Sequence, residues 1–314
     1  MQYNKLGKTG IEVSRLCMGI LTIGPLQKNL SLAESRPIIQ TAIDSGINFF
    51  DTADLYDSYQ YIKQVLEIKP DAIICTKSYD YSAEGVKKSL DRALRETGRD
   101  YIDIYMLHEQ ESRHTFEGHW EAIEYLLKMK KKGIIRAFGI STHRIEAVRD
   151  ALDFDEIEVV FPIINVTGIG IEDGSREEME EAIEKAKNAG KGIFAMKPLG
   201  GGNLLSQKQA CFDYILSLKT LDAIAFGMQS VDEVHYNVAK INGKKINLAL
   251  EERVKRAKKK VHVSNWCEGC GECERHCSQG AIKVVNGKAH VIYSKCLTCG
   301  YCAAWCPVFC IKVI

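Results

Sequence analysis

Between about Val13 and Leu221 the chain alternates short apolar runs with longer charged stretches. The apolar runs cover residues 15–20, 47–50, 72–75, 102–107, 134–140, 159–164, 192–196 and 223–226, and each has the length of a strand. Between them, residues 83–97, 117–131 and 176–189 place Ala, Ile, Leu or Val at three- and four-residue spacing, with charge on the other side. That pattern predicts helices. Gly46, Gly98, Gly133 and Gly190 fall where such helices should stop, as C-terminal caps. Eight strands alternating with helices over roughly 250 residues predict an α/β fold, a (β/α)8 TIM barrel. A doubly wound open sheet is the alternative, but no GxGxxG turn follows the first strand. Residues 3–12, with Gly7 and Lys8-Thr9-Gly10, predict a small hairpin closing the bottom of the barrel.

After the last barrel strand, residues 231–239 and 248–260 again read as helical. The second stretch ends in Arg253, Lys255, Arg256, Lys258, Lys259 and Lys260. Such a run is ordinarily a solvated helix leading into a linker. The sharper reading is a docking patch for an acidic redox partner such as a small ferredoxin.

Composition narrows the class. Of 314 residues, 46% are apolar and 26% charged, with a formal net charge of +1, so nothing global points to nucleic acid or an anionic membrane. Residues 1–10 contain no apolar signal core, and no apolar stretch approaches a membrane span. The expectation is a cytoplasmic protein. Of twelve cysteines, Cys17, Cys75 and Cys211 are scattered in apolar or helical segments and read as buried spectators. The other nine lie between Cys267 and Cys310, and clustering in such a chain points to metal rather than disulfides.

Those cysteines form a repeat. Cys267, Cys270, Cys273 and Cys277 have the spacing C-x2-C-x2-C-x3-C, and Cys296, Cys299, Cys302 and Cys306 repeat it, followed by Pro307. This is the run of bacterial two-cluster ferredoxins, in which the fourth cysteine of each set ligates the other cluster. Cys267, Cys270, Cys273 and Cys306 are therefore assigned to one 4Fe–4S cluster, and Cys296, Cys299, Cys302 and Cys277 to a second. An offset of 29 residues carries Cys267 onto Cys296 and Ile282-Lys283-Val284 onto Ile311-Lys312-Val313. It sets Cys310 opposite Ala281, which marks Cys310 as a small core residue and not a ninth ligand. Zinc sites use four ligands in separated pairs, which this pattern is not. The chain thus divides into a barrel, residues 1–260, and a small α+β ferredoxin-like domain, residues 261–314, that passes single electrons.

Catalytic groups of a barrel come from the C-terminal ends of its strands. Asp51, Lys77 and His108 end three consecutive apolar runs, and Tyr56 lies five residues after Asp51. Each has work in a carbonyl reduction. A phenol meets the oxygen as proton donor, and a neighbouring ammonium lowers its pKa. Lys77 would do so, held by Asp51, while His108 orients the carbonyl. Gly200-Gly201-Gly202, after Met196-Lys197-Pro198-Leu199, could curl backbone N–H groups around a phosphate.

On these residues the barrel resembles the aldo-keto reductase family, over about residues 1–260. The motifs are Asp51-Thr52-Ala53 with Tyr56, Thr76-Lys77, Leu107-His108, Phe138-Gly139-Ile140-Ser141 and Met196 through Gly202. The closest branch is similar to aldo-keto reductases with a C-terminal ferredoxin-like extension. The resemblance implies the Asp51–Tyr56–Lys77–His108 tetrad and NADP or NAD across the top of the barrel. It implies cofactor contacts from Gly19, Ser141, Asn165, Lys197, Leu199, Gly200, Gly201, Gly202, Ser230 and Asn237. The chain departs from the family at Thr142 (an asparagine), Phe161 (a glutamine), Met196 (an aromatic ring) and Glu233 (an arginine for the 2′-phosphate). An acid at 233 repels that phosphate.

A nicotinamide gives two electrons together and a cluster takes one, so a flavin such as FMN is a further candidate cofactor. The function expected is an iron–sulfur oxidoreductase that reduces a carbonyl or related group of a small molecule. Electrons would come from NAD(P)H, from the clusters, or from both, in an anaerobic cell. A flavin-dependent or ferredoxin-driven reductase, and a non-catalytic electron-transfer or interaction subunit, are the alternatives.

Overall fold

The computed structural model describes residues 1–314. A hairpin of β1 (Tyr3–Lys5) and β2 (Glu12–Ser14) precedes eight parallel strands: β3 (Leu16–Gly19), β4 (Phe49–Asp51), β5 (Ile73–Ser78), β6 (Ile102–Leu107), β7 (Ile135–Thr142), β8 (Val159–Pro162), β9 (Gly192–Ala195) and β10 (Ala223–Gly227). They close into a barrel in sequence order, β10 pairing with β3. Each of the eight apolar runs supplies one strand. Their inward residues, among them Cys17, Phe49, Cys75, Met106, Phe161 and Phe194, form one buried cluster with Leu6 and Val13 of the hairpin segment. The hairpin therefore stoppers the bottom, and the mouth is left at the other end.

Helix Ala83–Thr97 illustrates how sequence sets an element. The Ser82 hydroxyl accepts from the Gly85 N–H at 3.2 Å at its start, and Gly98 ends it at φ 74°. Val86, Leu90, Ala93 and Thr97 form its buried stripe. Two predicted helices are shorter than their patterns. Residues 117–131 break at His119, whose φ and ψ of −102° and 13° separate Arg113–Gly118 from Trp120–Lys131, with the imidazole turned back on the Thr115 carbonyl. Helix Leu248–Arg256 stops before the lysines because the chain is then pulled into a sheet. Lys260 and Ile314 exchange backbone hydrogen bonds at 2.7 and 2.9 Å.

Beyond Lys260, β11 (Val261–Val263) pairs antiparallel with β14 (Ile311–Val313), and β12 (Ile282–Val285) with β13 (Lys288–Val291). The short helices Glu272–Arg275 and Tyr301–Ala304 stand 29 residues apart, as the repeat requires. His276 and Trp305, equivalent under the same offset, stack at 3.8 Å across the pseudo-twofold. No helix is long and apolar enough to cross a membrane.

Candidate functional site

The ends of β4, β5 and β6 bring the four tetrad residues to the barrel mouth. Lys77 Nζ donates to both Asp51 oxygens, at 2.7 and 2.9 Å, and to the Thr52 carbonyl at 2.7 Å. Both side chains of this pair are nearly fully buried. Removing either would strand the other charge, a loss of about 3–5 kcal/mol. The Tyr56 hydroxyl lies 3.4 Å from His108 Nε2, and Lys77 Nζ sits 5.2 Å from the Tyr56 ring centroid.

One electrostatic expectation is corrected. The Tyr56 pKa is not lowered by Lys77 but raised well above its usual value, first by burial and then by Asp51 and Glu109. The reason is that all three ammonium donors are spent on Asp51 and Thr52, so the phenol faces a neutralised pair rather than a free cation. Tyr56 is thus held protonated. His108 is held neutral, its pKa pushed well below 6.5 by burial and then by Lys77. Its Nδ1 is buried without a partner.

Further residues gather beside the tetrad. The Tyr79 ring stacks on His108 at 4.4 Å, and its hydroxyl donates to Glu109. Glu109 approaches His143 at 4.0 Å, and His143 Nε2 lies 2.6 Å from Lys197 Nζ. Burial raises the Glu109 pKa, but Lys197, His143, the Tyr79 hydroxyl and Lys312 together outweigh it and hold the carboxylate below its ordinary value.

The last strand of the small domain docks on this mouth. Asn203 Nδ2 donates to the Ile311 carbonyl at 3.1 Å. A Cβ on Gly202 would stand 1.9 Å from the Val313 oxygen, and one on Gly201 would stand 2.8 Å from Lys312 Cδ. Gly201 and Gly202 therefore lie against β14, in the loop where the sequence predicted a phosphate. The other expected cofactor contacts are largely turned on the chain itself. Ser141 Oγ accepts from the Glu109 N–H at 3.0 Å. Asn165 organises residues 165–169 through both ends of its amide. Ser230 caps helix Val231–Ile241, and Asn237 is buried in it. Glu233 pairs with Lys259 at 2.5 Å. Gly19 ends β3 against the Phe226 backbone, and Leu199 packs on the main core.

The cysteines gather as two groups around two cavities. Cys267, Cys270, Cys273 and Cys306 line one, together with Cys310, and Cys277, Cys296, Cys299 and Cys302 line the other. In each, three cysteines of one run meet the fourth of the other. No three of them converge closely enough for a single metal ion. Thiolates spread around a void suit a cluster, whose irons stand between them.

The sequence reading missed Tyr79, Glu109, His143, Phe309 and Lys312. Three of them were within reach. Tyr79, Glu109 and His143 lie one or two residues beyond Lys77, His108 and Ser141, at strand ends where barrel chemistry belongs. A backbone signal also exists only in three dimensions. Glu109, Lys197 and Phe309 all take left-handed φ, from 44° to 57°, and all three contact His143.

Residues 15–250 match the family model described as Aldo/keto reductase family, and residues 259–307 match one described as 4Fe-4S dicluster domain. The chain is 25% identical over 284 residues to L-galactose dehydrogenase of Arabidopsis thaliana, spanning 77% of this chain and 88% of that protein. It is 24% identical over 306 residues to the uncharacterized oxidoreductase YqkF of Bacillus subtilis, spanning 81% and 95%. Among solved structures, an aldo-keto reductase from Bacillus halodurans shares the fold with a TM-score of 0.65, at 21% identity, over 82% of this chain and 96% of its own.

Proposed function

The chain belongs to the aldo/keto reductase family of oxidoreductases and carries a 4Fe-4S dicluster domain after its barrel, and from that premise we propose that it reduces a carbonyl or related unsaturated group of a small molecule with Tyr56 as proton donor. The observation that carries this reading is the pairing of a protonated phenol and a neutral imidazole, 3.4 Å apart, above the buried Lys77–Asp51 pair. His108 orients the substrate oxygen and Tyr56 delivers its proton. Residues 1–260 carry the catalytic groups, and residues 261–314 form the electron-transfer unit.

The eight cysteines fit two clusters as assigned, and when bound these supply single electrons. Members of the family generally use NAD(P)H. In this chain a dinucleotide phosphate and β14 compete for one place at Gly201 and Gly202, and an FMN phosphate meets the same obstruction. That competition favours electron entry through the dicluster domain: a one-electron carrier such as a ferredoxin supplies two electrons in succession, and a proton from solvent, beside the one from Tyr56, completes the reduction.

The test is anaerobic turnover of acetaldehyde, benzaldehyde and pyruvate by the intact iron-loaded protein. Reduced methyl viologen, NADH and NADPH are offered in turn. Tyr56→Phe should lower kcat on an accepted probe by about 100-fold or more. Unchanged turnover in that variant would remove Tyr56 from the chemistry. Reduction driven by NADPH and not by the dye would return the nicotinamide.

A further inference from the structure

Two lysine side chains, Lys197 half-buried and Lys312 buried, approach one aromatic ring at the junction of the domains. Lys197 Nζ lies 5.2 Å and Lys312 Nζ 3.2 Å from the centroid of Phe309. The first comes from the loop after β9, the second from β14. Neither makes an ion pair. Lys197 is bonded to His143, and Lys312 donates to the Phe309 carbonyl. The nearest acids are otherwise engaged. Glu109 accepts from Tyr79, and Glu172 pairs with Arg144 at 3.1 Å, each reaching only His143 on this side, at 4.0 and 3.7 Å. Burial lowers both lysine pKa values, Lys197 to about 8 and Lys312 well below its ordinary value, and Glu109 offsets this only in part, so a bound anion would complete their charge.

The backbone marks the same place independently. Lys197 and Phe309 hold left-handed φ of 57° and 44°, a conformation that costs a non-glycine residue roughly 1–2 kcal/mol. At the position equivalent to Phe309, 29 residues earlier, the chain has Gly280 at φ 55° with open space around it. The second half accepts the strain and gains a ring that spaces two lysines.

We propose that Lys197, Lys312 and His143 form an anion subsite, built jointly by the two domains, that receives the carboxylate or phosphate group of a small substrate. It rests on the reductase reading only in naming the bound anion a substrate. The subsite is short of the tetrad by one set of contacts, through Glu109 and Tyr79 to His108. That places the anionic end of the substrate a few bonds from its reducible group, as in an oxo or unsaturated acid or a phosphorylated aldehyde.

The experiment is calorimetric titration of the intact, anaerobically prepared protein with sodium acetate and with inorganic phosphate at constant ionic strength. One site per chain is expected for at least one probe, and the tighter of the two names the anion. Lys197→Gln and Lys312→Gln should each weaken it at least tenfold, with cluster absorbance unchanged as the check on folding. Lys197→Arg should retain binding, and Lys283→Gln, at the equivalent exposed lysine, should leave it alone. Absence of binding by the parent protein, or equal binding by both glutamine variants, overturns the subsite. Tyr56→Phe separates the two readings. It should bind the anion normally and lose turnover. Should it keep turnover while binding still depends on the lysines, the role of Tyr56 fails and the subsite stands; should the parent protein bind the anion and turn over none of the probes with any donor, the reductase reading fails and the subsite stands as an anion site.

Discussion

The two halves of the small domain share one sequence pattern and meet different surroundings. Gly271 and Gly300 both open a short helix at φ 85° and 79°. A side chain on Gly271 would project into open space, whereas one on Gly300 would stand 2.6 Å from the Asn203 carbonyl. Lys283 reaches Glu274 at an exposed surface, while its counterpart Lys312 is buried against Phe309 and Gly201. Gly280 becomes Phe309, and Ala281 becomes Cys310. The pseudo-twofold therefore ends at the barrel. One half stayed a solvated ferredoxin unit, and the other was reshaped into the roof of a barrel mouth. The cavity lined by Cys267, Cys270, Cys273 and Cys306 shares Ile311 of β14 with that roof.

The largest break in this symmetry should come from the crossed ligands. Cys306→Ser should strip about half of the roughly eight irons and spare the other cluster's EPR signal, and Cys277→Ser should do the reverse. Loss of both signals in either variant would show that the halves do not assemble separately. Next come the helix-entry glycines. Gly271→Ala should cost roughly 1–2 kcal/mol from positive φ alone. Gly300→Ala adds a clash with the barrel and should unfold at clearly lower denaturant. Equal midpoints would mean that the second half does not bear on the barrel.

Acid should then act on the roofed side. Burial, followed by Lys197, holds the His143 pKa well below 6.5. The unfolded chain therefore binds more protons as pH falls below that value. Stability is complete above about pH 6.5 and is lost on the way down. Thermal midpoints from pH 8 to 5 should fall, and His143→Asn should flatten part of that slope, with His108 and His262 contributing to the remainder. The smallest effect belongs to the solvated half. Lys283→Met removes an exposed ion pair and should leave the midpoint where it was.

Much of this was legible along the chain. Strands and helices announced themselves because a barrel buries each strand and one stripe of each helix, and that burial leaves a periodic trace. The cysteine groups were equally plain, since ligand spacing is a local property and the 29-residue repeat shows the crossing. The tetrad followed from residue types at strand ends. Its electrostatics did not. Whether Lys77 acts on Tyr56 depends on where its three donors point, and they point at Asp51 and Thr52.

The glycine loop shows the limit most clearly. In sequence, Gly200, Gly201 and Gly202 read as room for a phosphate, because a missing side chain says that something comes close without saying what. What lies against Gly201 and Gly202 is β14, more than a hundred residues later, while Gly200 faces Leu204 and Ile169. Local chemistry by itself determined the strands, the cluster ligands and the four polar groups of the barrel. Only the tertiary structure decided that Lys312 and Phe309 join Lys197, because packing between distant segments leaves no periodic mark on either one.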